Sequence, residues 1–126
     1  MAGVRITGKN LKSAIRPFPD AVANVMTERE FQVHVTTVAE QLGWWTYHTH
    51  DSRRSEPGFP DLTLVRGTRL VFAELKREGG RVTPAQRRVH VLLEGAGHLV
   101  RVWRPSDWPI VVATLNGPDT AKEEAA

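Results

Sequence analysis

The chain has 126 residues and a mass of 14.1 kDa, enough for one domain and too little for two. Hydrophobic residues make up 40% and charged residues 25%, an ordinary globular balance. The absence of cysteine excludes a disulfide scaffold, a thiolate metal site and a cysteine nucleophile, and no apolar run approaches the roughly 20 residues of a membrane span. The polar N-terminus has no apolar signal-peptide core, so a soluble intracellular protein is expected. The net charge is +3, and thirteen of the seventeen basic residues are arginine, whose planar fork suits phosphate. Residues 1–19 carry +4, residues 119–126 carry −2, and the middle is close to neutral.

Residues 1–26 show no sustained period and contain Pro17 and Pro19, which predicts a basic arm with at most a short helix near Asp20–Met26. Thr27-Glu28-Arg29-Glu30 has the form of a capping box, Thr27 at N-cap and Glu30 at N3. Phe31, Val35, Val38 and Leu42 follow on one helical stripe, and Gly43 is a natural stop. Trp44 to His50, rich in aromatic and threonine residues, predicts a strand. Asp51 to Pro60 is a loop.

Asp61 to Val65 and Leu70 to Lys76 read as two strands joined at Arg66-Gly67-Thr68-Arg69, where a leading glycine fits a type II′ hairpin turn. Thr83-Pro84-Ala85-Gln86 repeats the capping logic, with proline at N1. It opens a helix to about Glu94 whose expected apolar side is Ala85, Val89, Leu92 and Leu93. His98 to Arg104 is a further strand. Ser106 is the expected cap of a last helix, Asp107 to Leu115, and residues 116–126 form a flexible acidic tail. The order α-β-β-β-α-β-α predicts an α/β domain with a mixed sheet and flanking helices.

The hairpin carries the chemistry. A turn centred between Gly67 and Thr68 sets Arg66 opposite Arg69, Val65 opposite Leu70 and, further out, Asp61 opposite Glu74. Opposed residues have Cβ atoms about 5 Å apart, a distance at which like charges repel. A divalent cation reverses the sign of that problem, and hard oxygen donors suit Mg²⁺ or Mn²⁺. Glu74 and Lys76 share a strand face, and a lysine beside a metal can orient a water or stabilise a developing oxyanion. Two features favour a site over a pair of solvated carboxylates. Glu74 and Lys76 interrupt the apolar run Leu70-Val71-Phe72-Ala73, and Pro60 fixes the chain just before Asp61.

These residues resemble a known family. Pro60-Asp61, then twelve residues, then Glu74-Leu75-Lys76 is similar to the PD-(D/E)xK nuclease pattern. The surroundings resemble its VRR-NUC branch: Gly43-Trp44, His48-Thr49-His50-Asp51-Ser52-Arg53-Arg54-Ser55, Gly58-Phe59-Pro60-Asp61-Leu62, Gln86 and Val102-Trp103-Arg104-Pro105. The resemblance covers about residues 27–115, leaving the arm and the tail outside. It implies a restriction-endonuclease-like core and a metal-dependent, structure-selective endodeoxyribonuclease. Small stand-alone members are similar to Holliday junction resolvases.

By the resemblance, Asp61 and Glu74 hold Mg²⁺, with Mn²⁺ expected to substitute, and Lys76 serves the attacking water. A glutamate of the first helix joins them. At 100° per residue Glu28 lies about 50° from the centre of the apolar stripe and Glu30 about 110°, so Glu28 is the choice. Gln86 matches the family's glutamine and is equally well a plain capping residue. Ser52, Arg53, Arg54, Arg77, Arg81, Arg87 and Arg88 are candidate phosphate contacts.

Pro19-Asp20 is a decoy, since no Glu-x-Lys follows at hairpin distance. His48 and His50 are read as packing or phosphate contacts. The tryptophans are read as core or interface, with one of Trp44 and Trp45 exposed because they point to opposite strand faces. Symmetric cutting of a four-way junction needs two sites and predicts a two-fold homodimer on branched DNA, with no membrane association. A flap or nicking endonuclease of the same fold, and a non-catalytic branched-DNA-binding module, are the alternatives. The small size is expected of a phage or mobile-element protein acting in the host cytoplasm.

Overall fold

The computed structural model describes residues 11–50 and 56–117. Their element order is α1 (Leu11–Ala14), α2 (Asp20–Ala23), α3 (Glu28–Gln41), β1 (Trp45–His48), β2 (Leu62–Arg66), β3 (Arg69–Leu75), α4 (Pro84–Gly95), β4 (Leu99–Trp103), a 3₁₀ turn (Pro105–Asp107) and α5 (Trp108–Asn116). From α3 onward this is the expected α-β-β-β-α-β-α order. The sheet order is β1-β2-β3-β4. The first two pairings are antiparallel and the third, across α4, is parallel.

The hairpin register is the one its turn demands. Arg66 pairs with Arg69, Val65 with Leu70 and Leu62 with Ala73. Gly67 has φ +58° and Thr68 is not in the positive-φ region, which is the type II′ pattern and needs glycine at its first position.

The sheet has two differently covered faces. Leu62, Leu64, Val71, Ala73, Leu75 and Trp103 meet Phe31, Val35, Val38 and Ala39 of α3 and Val111, Val112 and Leu115 of α5 in one core. The opposite face, with Phe72 and Glu74, receives α4 on its β3–β4 side. Both long helices begin with full capping boxes. Thr27 Oγ1 accepts from Glu30 N at 3.0 Å, and Thr83 Oγ1 accepts from Gln86 N at 3.1 Å, each answered in reverse by the N3 side chain. Each cap satisfies two otherwise orphaned N–H groups.

Three expectations are corrected. Leu92 does not belong to the inner side of α4: it is 65% exposed, whereas His90 is buried. The inner face is centred on Gln86, His90 and Leu93, three to four residues apart. Ser106 does not cap α5. Pro105 opens a 3₁₀ turn first, so Asp107 occupies the N-cap position, and Ser106 N donates instead to Glu78 Oε1 at 2.6 Å. Residues 11–26 lie against the body rather than apart from it: Ala14, Ile15 and Phe18 pack on the core and Met26 is within it. The Trp108 indole N–H donates to Ala14 O at 2.8 Å, and the Phe18 ring lies 5.0 Å from that of Trp108.

Candidate active site

The site forms where β2 begins and β3 ends, beside the first turns of α4. The segment entering β2 is held from three sides. Gly58 has φ +96°, and a Cβ there would stand 2.4 Å from Ala85 O, so only glycine lets this loop lie against the start of α4. Phe59 packs edge-on to Phe72, ring centroids 5.7 Å apart. Thr49 grips the next two residues: its hydroxyl donates to Pro60 O at 2.7 Å and its amide to Asp61 O at 2.8 Å.

Asp61 is thereby set one residue beyond the last hairpin pair, opposite Glu74. Its Oδ2 accepts from Leu75 N at 2.7 Å, which ties the carboxylate to the neighbouring strand. Glu74 is 1% exposed. Its Oε1 lies 3.1 Å from His90 Nε2, and its Oε2 accepts from Gln86 Nε2 at 3.3 Å. Gln86 thus fills both readings offered for it, its carbonyl oxygen closing the cap on Thr83 N at 2.9 Å while its amide nitrogen reaches Glu74.

Burial pushes the Glu74 carboxyl up to about 9, reinforced by the hydrogen bond and charge of Asp61 and by Glu28, with Lys76 pulling the other way. Desolvation disfavours any lone charge and a second carboxylate adds repulsion. Burial also lowers the His90 imidazole, helped by the positive charges of Lys76 and Arg87, so His90 is neutral here near pH 7. When Glu74 carries its proton it can donate to His90 Nε2; when it is ionised, the Nε2–H tautomer donates to it. Lys76 is buried next to this group, its main chain anchored by donation to Trp103 O at 2.9 Å.

A cleft of about 520 Å³ opens at Asp61 from the α3 side, lined also by Glu28, His48 and Leu75 among others. Glu28 is therefore the α3 glutamate that faces the site. Glu30 is kept in the cap, where the Thr27 hydrogen bonds lower its pKa. Arg77 and Arg81 are exposed on the loop between β3 and α4, which Arg104 ties down by donating twice to Gly80 O, at 3.1 and 2.6 Å. Arg87 and Arg88 line a separate hollow of about 680 Å³ beside Val91 and Leu92 on α4. Ser52, Arg53 and Arg54 lie outside the described residues.

Sequence reasoning passed over His90. The signal was its spacing, four residues after Gln86 on the same helix face; a histidine among apolar residues did not by itself announce a carboxylate partner.

The donor chemistry fits a hard divalent cation. Asp61 and Glu74 bring carboxylate oxygens, and burial, reinforced by the hydrogen bond and charge of Asp61, holds the Glu74 carboxyl well above its ordinary value, a balance a cation would reverse. Among the described residues no three His, Asp or Glu side chains already stand at ion-sharing distance. Mg²⁺ asks for fewer, since it commonly keeps several waters and takes one or two carboxylates.

Comparison with known proteins points to one domain family. A family model described as the VRR-NUC domain matches residues 9–107. A solved structure described as a VRR-NUC domain is 28% identical, superimposes with a TM-score of 0.53, and is matched over 61% of this chain and 84% of that one. No curated protein matches.

Proposed function

The chain belongs to the VRR-NUC domain family, a nuclease-type family acting on DNA, and from that premise we propose a Mg²⁺-dependent endodeoxyribonuclease selective for branched DNA, four-way junctions foremost. The observation that carries this reading is the Asp61–Glu74 pair, set opposite each other at a strand end with Lys76 two residues further on the same face. A pair of structural carboxylates would be solvated or matched by cations. Here Glu74 is desolvated, and its carboxyl is raised by burial with Asp61 reinforcing it; perturbed groups of this kind mark functional sites.

Asp61 and Glu74 would hold the cation, with Glu28 sharing the cleft with Asp61. When bound, it supplies Lewis acidity and offsets charge developing on the phosphate and the leaving oxygen. The chain's own groups do the positioning. The Leu75 amide and Thr49 fix Asp61, and Gln86 and His90 orient Glu74. The Lys76 ammonium would orient the attacking water or stabilise the pentavalent phosphorus. Water attacks in line, the bond from phosphorus to the 3′ oxygen breaks, and a 5′-phosphate and a 3′-hydroxyl result. One chain offers one such site, so paired cuts across a junction call for a two-fold dimer.

The test is cleavage of end-labelled four-way junction, 5′ flap, nicked duplex, plain duplex and single strand, with Mg²⁺, with Mn²⁺ and with chelator. Paired symmetric cuts in the junction that require metal are the expected result. Cutting of flaps or nicks alone removes the junction assignment. Binding without cleavage of any substrate removes the enzyme.

A further inference from the structure

Among the described residues, α4 meets the sheet face that carries Glu74 at β3 and β4. On its other side the edge strand β1 presents two large aromatic residues to solvent, Trp45 at 61% exposure and Tyr47 at 46%. Their rings are within 13° of parallel, centroids 6.2 Å apart, so the arrangement exists before any ligand arrives. The neighbouring Trp44 behaves oppositely: it is 3% exposed, and its indole N–H donates to Leu115 O at 2.9 Å. Alternation along the strand sends Trp44 into the core and Trp45 outward.

The sheet register connects this pair to the site. Trp45 lies beside Val65 and Leu70, and Tyr47 beside Thr63 and Phe72. The next row on the same face is Thr49, Asp61 and Glu74, joined by donation of Thr49 N to Asp61 O. At about 3.3 Å per residue, Tyr47 lies roughly 7 Å and Trp45 roughly 13 Å from the carboxylate row. At about 3.4 Å per stacked base, that is two to four base steps from the bond to be cut.

We infer that Trp45 and Tyr47 form a stacking platform for unpaired nucleobases next to the scissile phosphate, an inference that rests on the nuclease reading of the Asp61–Glu74 site. The chemistry selects this occupant. Exposed aromatic faces give a phosphate little to bind, but they match the π-face of any base, independent of sequence. Bases inside a duplex hide that face in the stack, whereas bases at a branch, flap or single-stranded arm offer it. A second copy of the chain is the less suitable occupant. Phe59 and α4 already take the neighbouring part of this face, and two exposed rings fall well short of the roughly 800 Å² per partner of a stable dimer.

The experiment measures binding of the full chain, in Ca²⁺ in place of Mg²⁺, to a fork with unpaired arms, to a blunt duplex of the same length and to a thymidine 12-mer. Wild type is compared with the double variant Trp45→Ala/Tyr47→Ala and with Trp45→Phe/Tyr47→Phe. The alanine variant should weaken fork and 12-mer binding roughly 10- to 100-fold and leave duplex binding within about twofold, and the phenylalanine variant should restore most of the loss. 2-Aminopurine in a fork arm should be quenched by wild type and not by the alanine variant. Equal losses on fork and duplex, or no loss on either, overturn the platform. So does a change from dimer to monomer in sedimentation with 12-mer binding intact, which would make the pair a subunit contact. The nuclease reading fails separately, through Asp61→Asn: if that variant cleaves as wild type does while fork binding still depends on the aromatic pair, the platform stands and the Asp61–Glu74 site does not.

Discussion

The two ends of the β2–β3 hairpin face the same electrostatic problem and resolve it differently. At the turn, Arg66 stands directly opposite Arg69; at the open end, Asp61 stands opposite Glu74. The arginines are answered by main chain and ring. Arg66 donates to Leu42 O at 3.3 Å, to Leu115 O at 2.8 Å and to Gly117 O, and Arg69 donates to Thr114 O at 3.0 Å. Both guanidinium groups lie over Trp44, at 4.8 and 5.5 Å from the ring. The acceptors are the last carbonyls of α3 and α5, where the helix dipole is negative. The carboxylates are answered less fully: Asp61 takes the Leu75 amide, the hydrogen-bond partners of Glu74, Gln86 and His90, are neutral, and burial outweighs the pull of Lys76, so the Glu74 carboxyl is driven up to about 9. Buried like charges supplied with opposite charge close a structure. Like charges less fully compensated mark a candidate ligand site.

The largest way to break this contrast is Asp61→Asn. Asparagine keeps an oxygen to accept from Leu75 N and is expected to fold normally, yet cleavage should fall by about 10³-fold or more, roughly 4 kcal/mol on the barrier. Single-turnover rates at saturating enzyme measure it. Arg66→Ala should do the reverse, costing about 2–3 kcal/mol in urea unfolding because carbonyls at two helix ends lose their donor, while the rate per folded molecule holds.

The pH dependence sharpens the comparison further. Glu74 keeps its proton in the fold up to about 9 but releases it near its ordinary 4.5 when unfolded. Between those values the folded state holds the extra proton, so rising pH destabilises the metal-free protein, by at most about 1.4 kcal/mol per pH unit. His90 adds a loss on the acid side: its folded pKa is below 6.5, so the unfolded state takes a proton first as pH falls through that value. Urea midpoints in chelator from pH 5 to 9 should decline at the alkaline end for wild type, and Glu74→Gln should flatten that limb.

His90→Asn, which removes the orienting ring, should lower the cleavage rate roughly tenfold, in the range for residues behind a metal ligand. Thr83→Ala is the smallest change, about 1 kcal/mol of stability from the lost cap. It removes only the acceptor for Gln86 N and leaves the bond from Thr83 N to Gln86 Oε1 in place, so the cleavage rate per folded molecule should hold.

Much of this was legible without coordinates. The period of α3, both capping boxes, the type II′ turn and the hairpin register are local, set by backbone geometry and side chains within a few residues of one another. The register alone placed Asp61 opposite Glu74, and the helical angle alone chose Glu28 over Glu30. Misreadings came where local preference met a distant partner. Leu92 looked like core, but α4 turns His90 inward because Glu74 waits there. Ser106 looked like a cap, but Glu78 takes its amide.

By itself the sequence determined the element order and the pairing of the carboxylates, because turn chemistry and strand alternation act over short separations in the chain. Only the tertiary structure decided which charges are answered and which are not. Carbonyls of Leu42, Thr114 and Leu115 meet the arginines across 24 to 49 residues, whereas Gln86 and His90 meet Glu74 without charge. Burial and electrostatic balance depend on what the folded chain brings close, and no window of local sequence contains that information.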